Sequence, residues 1–289
     1  MANSMSRKSI LLYGDSGDGK STLIGEFAEF IFKTTKKKTR MYTADRGGTE
    51  SVKPHIDLGI IEPVYFDDSD IWIWLNSVVR GKIKKEGKWS DGIREDIGLY
   101  AFESLTSVSD EMMLSLAKKA GEGINIGGGA NVSFKASGDG NSLTISGNNM
   151  SHYNIVQQRL TEEIWSSQKL PGWVAWTAAV KRDEDPNSIG KVLGPACCGK
   201  ALTGELPRWF TYCFRVSAVP GIAGAAEKHI LFLGDHSENG SKGLGNTRVP
   251  LDSPRIPTTI EPASLTKAIQ LIEASYQPAL DAIKKRLSL

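Results

Sequence analysis

Polar and apolar positions fall into blocks of two kinds along this chain. Mainly apolar runs at 10–13, 97–102 and 173–177, and the mixed stretches 39–44 and 60–66, read as strands. Between them, apolar residues recur at helical spacing over 22–30, 70–79, 109–120 and 153–165. Strands that alternate with helices predict an α/β fold: a mostly parallel sheet flanked by helices. Farther on, 210–219 and 229–233 read as antiparallel C-terminal strands, and 234–249 as a polar, glycine-rich loop. A closing helix over 265–287 is expected to break at Pro278, because proline lacks an N–H and its ring crowds the preceding turn. No internal repeat and no second domain stand out, so 1–289 is expected to form one domain.

Two segments depart from this rhythm. Residues 81–94 are mostly polar and charged, with Ile83, Trp89 and Ile93 as their large apolar residues, and are expected to be exposed. Residues 121–149 are rich in Gly, Asn and Ser, and Gly127-Gly128-Gly129 opposes a helix. This stretch reads as a flexible insertion, either a plain surface excursion or a loop that orders on a partner. A short hairpin over 132–135 and 142–146, turning at 138–141, fits within it.

The chemistry concentrates just after the first strand. Gly14-Asp15-Ser16-Gly17-Asp18-Gly19-Lys20-Ser21 has two glycines bracketing four residues and then Lys-Ser, followed by Thr22 and a helical run. Strand, glycine loop and helix occur in the order a P-loop requires. Gly14, Gly17 and Gly19 allow backbone geometry that turns several N–H groups into one concavity. The helix N-terminus adds partial positive charge there. Lys20 can reach the outer phosphates, and the Ser21 hydroxyl can ligate Mg²⁺. These residues predict binding of a nucleoside triphosphate.

Hydrolysis also needs a metal anchor and a means of activating water. Glu103 ends the apolar run Leu99-Tyr100-Ala101-Phe102 and is the expected Mg²⁺ anchor opposite Ser21. Asp45 ends another strand, on the edge where ligands sit in such sheets, and could polarise the attacking water. Glu50, in the same loop, is the alternative. Thr177 ends the 173–177 strand, where a polar group could sense the γ-phosphate. Lys242 and Arg248, in the late glycine-rich loop, are possible charges supplied to a neighbouring subunit's nucleotide.

Composition narrows the setting. The chain has 289 residues, 40% hydrophobic and 24% charged, an ordinary globular balance. No apolar run reaches 18 residues, so no transmembrane helix is expected, and the N-terminus lacks the apolar segment of a secretory signal. A net charge of +2 does not by itself impose nucleic-acid binding. The basic cluster Lys36, Lys37, Lys38 and Arg40 reads first as a solvated helix end, and less readily as a phosphate-binding stripe. Cys197, Cys198 and Cys213 match no zinc spacing and fit a reducing cytoplasm, and the four histidines suggest no metal cluster.

With these pieces in place, the sequence resembles the RecA-like P-loop ATPases, particularly the compact versions encoded by bacteriophages. The resemblance rests on Tyr13 to Thr22, on Phe102-Glu103-Ser104-Leu105-Thr106, on the strand ending at Thr177, and on Leu193-Gly194-Pro195 with Gly199-Lys200-Ala201-Leu202-Thr203. It implies a RecA-like P-loop NTPase core, ATP and Mg²⁺ as cofactors, and assembly into a ring or filament. It also implies single-stranded DNA as partner, in phage recombination or replication, with the host cytoplasm as location. By resemblance, Lys20 and Ser21 carry nucleotide, Glu103 the metal role and Thr177 the sensor role. The chain departs from the pattern at Glu103, where the family usually has Asp, and at Ala178-Ala179, where a polar residue or His is often seen. A protein-directed ATPase for assembly or DNA packaging is the alternative. A small-molecule kinase ranks last, because 180–250 shows no clear arginine-rich lid.

Overall fold

All five residues of the first strand, Ser9–Tyr13, are buried. Successive side chains of a strand point to opposite faces. Leu11 and Tyr13 therefore enter one core, with Trp74, Met112, Leu160 and Trp176, while Ile10 and Leu12 enter another, with Phe27, Ala28, Leu99 and Ile269. A parallel sheet covered on both sides must be apolar on both faces. That is why its central strands appear in the sequence as mainly apolar runs, at 10–13, 97–102 and 173–176, and not as alternating patterns.

The computed structural model describes residues 8–45, 47–67, 70–85, 87–121, 131–135, 142–146, 150–184, 191–220, 227–238, 241–248 and 254–287. Three layers result. Helices Lys20–Thr35 and Leu265–Leu287 cover one face of the sheet. Helices Ile71–Val78, Leu105–Gly121, Met150–Ser167 and Lys200–Trp209 cover the other.

Across the sheet the strands run in the order Thr259–Ile260, Lys228–Phe232, Tyr212–Val219, Ser9–Tyr13, Trp173–Ala178, Ile97–Glu103, Lys38–Thr43 and Ile61–Tyr65. The six from Tyr212–Val219 to Ile61–Tyr65 are mutually parallel. Lys228–Phe232, Thr259–Ile260 and a two-residue strand, Asn246–Thr247, are added antiparallel. The mostly parallel sheet with antiparallel C-terminal strands is thus the one expected. The Trp173–Ala178 strand lies between the P-loop strand and the Glu103 strand. Stacked rings of Tyr42, Phe102 and Trp176 tie three neighbouring strands together, with centroids 5.1 Å and 4.5 Å apart. Each such pair contributes about 0.5–1.5 kcal/mol beyond its buried area.

Several local expectations are corrected. Leu265–Leu287 runs as one helix through Pro278. Its buried residues Ile272, Ser275 and Ala279 flank the proline, so packing against the sheet outweighs the lost hydrogen bond. Arg40 is not part of a solvated helix end. It lies in the Lys38–Thr43 strand at 1% exposure, pairs with Glu62 at 3.1 Å and donates to the Gly92 carbonyl. The polar segment 81–94 is only partly exposed: Ile83–Lys85 and Lys88–Ser90 form a hairpin, and Gly92 beyond it is buried.

The 234–249 region contains short strands, of which His236–Glu238 and Ser241–Gly243 pair with each other. Ser241–Gly243 also joins Lys191–Pro195, itself paired with Val180–Glu184, to make a second, four-stranded sheet. Within the glycine-rich stretch, Asn131–Lys135 and Ser142–Ser146 form the expected antiparallel hairpin. Its turn at 138–141 and most of the segment assigned as flexible lie outside the described residues. No described helix is long and apolar enough to cross a membrane.

Candidate nucleotide site

The P-loop turns at the end of the first strand because Gly14 sits where a side chain would not fit and Gly17 and Gly19 take a backbone conformation that side chains disfavour. A Cβ on Gly14 would lie 2.5 Å from the Val216 carbonyl oxygen and 2.8 Å from Asp18 Oδ2. Gly17 and Gly19 have φ of +89° and +91°, the left-handed region that glycine alone enters freely. The Asp18 carboxylate organises the loop from within. It accepts from the backbone N–H of Asp15 at 2.5 Å and from that of Ala218 at 3.0 Å, which also ties the loop to the Tyr212–Val219 strand. Gly14 N–H donates to the Ala178 carbonyl at 3.2 Å, fixing the other flank. The helix then begins at Lys20, so the unpaired N–H groups of its first turn face the loop's concavity.

Lys20 is partly buried, and its ammonium donates to the carbonyls of Gly14 at 3.0 Å and Asp15 at 2.7 Å. Burial pulls its pKa below the usual lysine value, opposed by the charges of Glu103, Asp18, Asp15 and Asp45.

Parallel pairing brings the acidic residues to the same edge. Phe102 is aligned with Trp176, and Leu12 with Thr177, so Glu103 and Thr177 emerge beside each other next to the P-loop. Glu103 is 5% exposed and accepts from the Ser21 hydroxyl at 3.0 Å. Its second oxygen, Oε2, is buried without a hydrogen-bond partner, as is Thr177 Oγ1. Thr177 nonetheless lies close enough to favour the charged carboxylate. Burial dominates and raises Glu103 from 4.5 to about 7, against the lowering effects of Ser21, Thr177 and Lys20.

A cavity of about 420 Å³ opens here, lined by P-loop residues Ser16 to Thr22 except Asp18, by Glu103 with Ser104, and by Asp45 and Glu50. Asp45 is partly committed, its carboxylate accepting from Gly47 N–H at 3.0 Å. A second cavity of about 510 Å³ shares Gly17, Gly19 and Thr22 with the first and extends the other way, to His229, Pro262 and Ala263. The loop therefore lies between two cavities, and the second is also lined by Asp18, Glu227, Lys228, Glu261 and Leu23.

The donor set suits Mg²⁺: a hydroxyl and a carboxylate 3.0 Å apart, with one buried carboxylate oxygen unpartnered. Magnesium takes such hard oxygen donors, keeping waters and phosphates for its remaining positions. Among the described residues, no group of three or more His, Cys, Asp or Glu forms a separate metal cluster.

Lys242 and Arg248 do not line either cavity. Lys242 pairs with Asp235 at 3.3 Å, and Arg248 donates to the Arg208 carbonyl. Sequence reasoning missed Thr106 as an individual residue. Its hydroxyl donates to the Ala196 carbonyl and accepts from Ala179 N–H, both at 2.9 Å, on the cavity wall. A threonine three residues after the acid was a visible signal, but its partners lie more than 70 residues away.

No protein-family model matches the chain, and no curated protein does. Among solved structures, it is similar to the KaiC-like protein of the hyperthermophilic archaeon Pyrococcus horikoshii OT3. The two are 9% identical over 79% of this chain and 78% of that one, with a TM-score of 0.42. So remote a likeness leaves the function to be read from the site itself.

Proposed function

We propose that this chain is a P-loop ATPase with a RecA-like core, 1–289 acting as one domain that binds and hydrolyses Mg-ATP. One observation carries the reading: the helix headed by Lys20 and Ser21 faces a buried strand-end carboxylate, with Ser21 and Glu103 3.0 Å apart. In this reading the P-loop N–H groups and Lys20 hold the β- and γ-phosphates. The nucleoside lies in the cavity beside His229. Ser21 and Glu103 hold Mg²⁺, which when bound neutralises charge on the phosphates. Asp45, or Glu50 on the same cavity wall, orients the attacking water, and Thr177 reads the γ-phosphate.

The finer reading adds assembly into a ring or filament on single-stranded DNA, in phage recombination or replication. Its support is the resemblance in sequence and the position of the paired strands Asn131–Lys135 and Ser142–Ser146, which fall in the chain between the Glu103 and Thr177 strands. ATP turnover measured with and without single-stranded DNA tests both levels. The proposal expects turnover that DNA stimulates and that Lys20→Ala abolishes. Turnover indifferent to DNA, with no DNA retention at low salt, leaves the ATPase but removes the DNA role and favours a protein-directed task. No turnover and no nucleotide binding removes the ATPase itself.

A further inference from the structure

We propose that Arg182 is the residue that lets this acidic P-loop accept a triphosphate, by neutralising Asp15. The inference rests on the reading of the loop as a triphosphate cradle. A cradle for anions gains nothing from carboxylates, yet this one contains two. Asp18 is buried and spends its charge on the backbone N–H groups of Asp15 and Ala218. Asp15 has a different partner: both of its oxygens accept from the Arg182 guanidinium, at 3.2 Å and 2.5 Å. A planar guanidinium meets a carboxylate in this two-pronged way with defined geometry.

Arg182 is delivered by a pinned hairpin, not by a stray loop. The Val180–Glu184 strand follows directly on the Thr177 strand and pairs with Lys191–Pro195, with Arg182 opposite Leu193. The Leu193 carbonyl accepts from the buried Tyr13 hydroxyl, one residue before Gly14. At the base of the hairpin, Ala196 N–H donates to the Ala179 carbonyl at 2.7 Å, and Thr106 bonds to both residues. Arg182 is thus held over the P-loop by contacts to the loop's own strand and to the helix after Glu103.

The pair is half exposed, so it adds little to folding stability. Its effect falls on the ligand: Asp15 acts electrostatically on Lys20, whose ammonium donates to the Asp15 carbonyl at 2.7 Å. Without Arg182, the uncompensated Asp15 charge opposes an anion held by Lys20 and the loop, which weakens binding about ten-fold at low salt.

The test is calorimetric titration of the full chain with Mg-ATP at low salt, on the native protein and on Arg182→Ala, Arg182→Lys, and Arg182→Ala combined with Asp15→Asn. Unfolding midpoints of all four are measured alongside. The proposal expects Arg182→Ala to bind about ten-fold more weakly with an unchanged midpoint. It expects Arg182→Lys to fall between, and the double variant to recover most of the loss. Native-like binding by Arg182→Ala, or a double variant as weak as Arg182→Ala alone, overturns it. If the native chain itself gives no binding with Mg-ATP, the triphosphate reading fails first.

Discussion

Replacing Glu103 with Gln should stabilise the nucleotide-free protein, and only at high pH. Gln keeps the size of the side chain and a carbonyl oxygen for the Ser21 hydroxyl, now 3.0 Å from Glu103 Oε1. What it removes is the cost of holding a charge at 5% exposure with one oxygen unpartnered. In the folded protein burial raises Glu103 from 4.5 to about 7. Between those values the folded state binds more protons than the unfolded one, so stability falls as pH rises through the window. At about 1.4 kcal/mol for each pH unit, the native protein loses about 3 kcal/mol by pH 8 that the Gln variant does not lose.

Urea unfolding followed by tryptophan fluorescence in EDTA, at pH 5 and pH 8, reads the difference. The expected gain is about 2–3 kcal/mol at pH 8 and below about 1 kcal/mol at pH 5. Mg-ATP should reverse the order at pH 8, because it stabilises the form that binds it. A gain of equal size at both pH values, or a loss at pH 8 without nucleotide, refutes the account of Glu103 as a buried carboxylate whose charge is costly to hold.

Other residues give independent checks. Asp18→Ala strips the partner from two partly buried backbone N–H groups and should cost about 1–3 kcal/mol in chemical denaturation, while weakening nucleotide binding. Glu62→Ala leaves the Arg40 guanidinium buried without its counter-charge and should cost about 2–3 kcal/mol, less than for a fully buried pair because Glu62 is partly exposed. Cys197, Cys198 and Cys213 are buried, which pushes the first two thiols up to about 12 and about 11 and the third higher still. Ellman's reagent should therefore label the native protein slowly at pH 8 and quickly once urea unfolds it; fast native labelling would contradict the packing around these residues.

The P-loop was legible because its signal is local: strand, glycines, Lys-Ser and helix occupy consecutive positions, and each residue's role follows from its neighbours. The strands were legible for a related reason. A sheet buried on both faces leaves mainly apolar runs in its central strands, and Glu103 and Thr177 mark the ends of two of them. What sequence periodicity could not convey was which run lies beside which. Only the sheet order sets the Thr177 strand between those of Tyr13 and Glu103, and so aims a carboxylate at a hydroxyl 82 residues away.

The same limit hid the fates of individual charges. Arg40 looked like one more cation in a basic cluster until the strand pairing buried it beside Glu62. Arg182 is 167 residues from Asp15, and no local pattern links them. Pro278 was misjudged for the converse reason: its local cost is real, but burial of the flanking helix face on the sheet exceeds it. Local backbone chemistry and burial period were thus determined by the sequence alone. The pairing of distant charges, which sets the electrostatics of the site, was decided by tertiary structure, because Coulomb and hydrogen-bond energies depend on distances that only the folded chain defines.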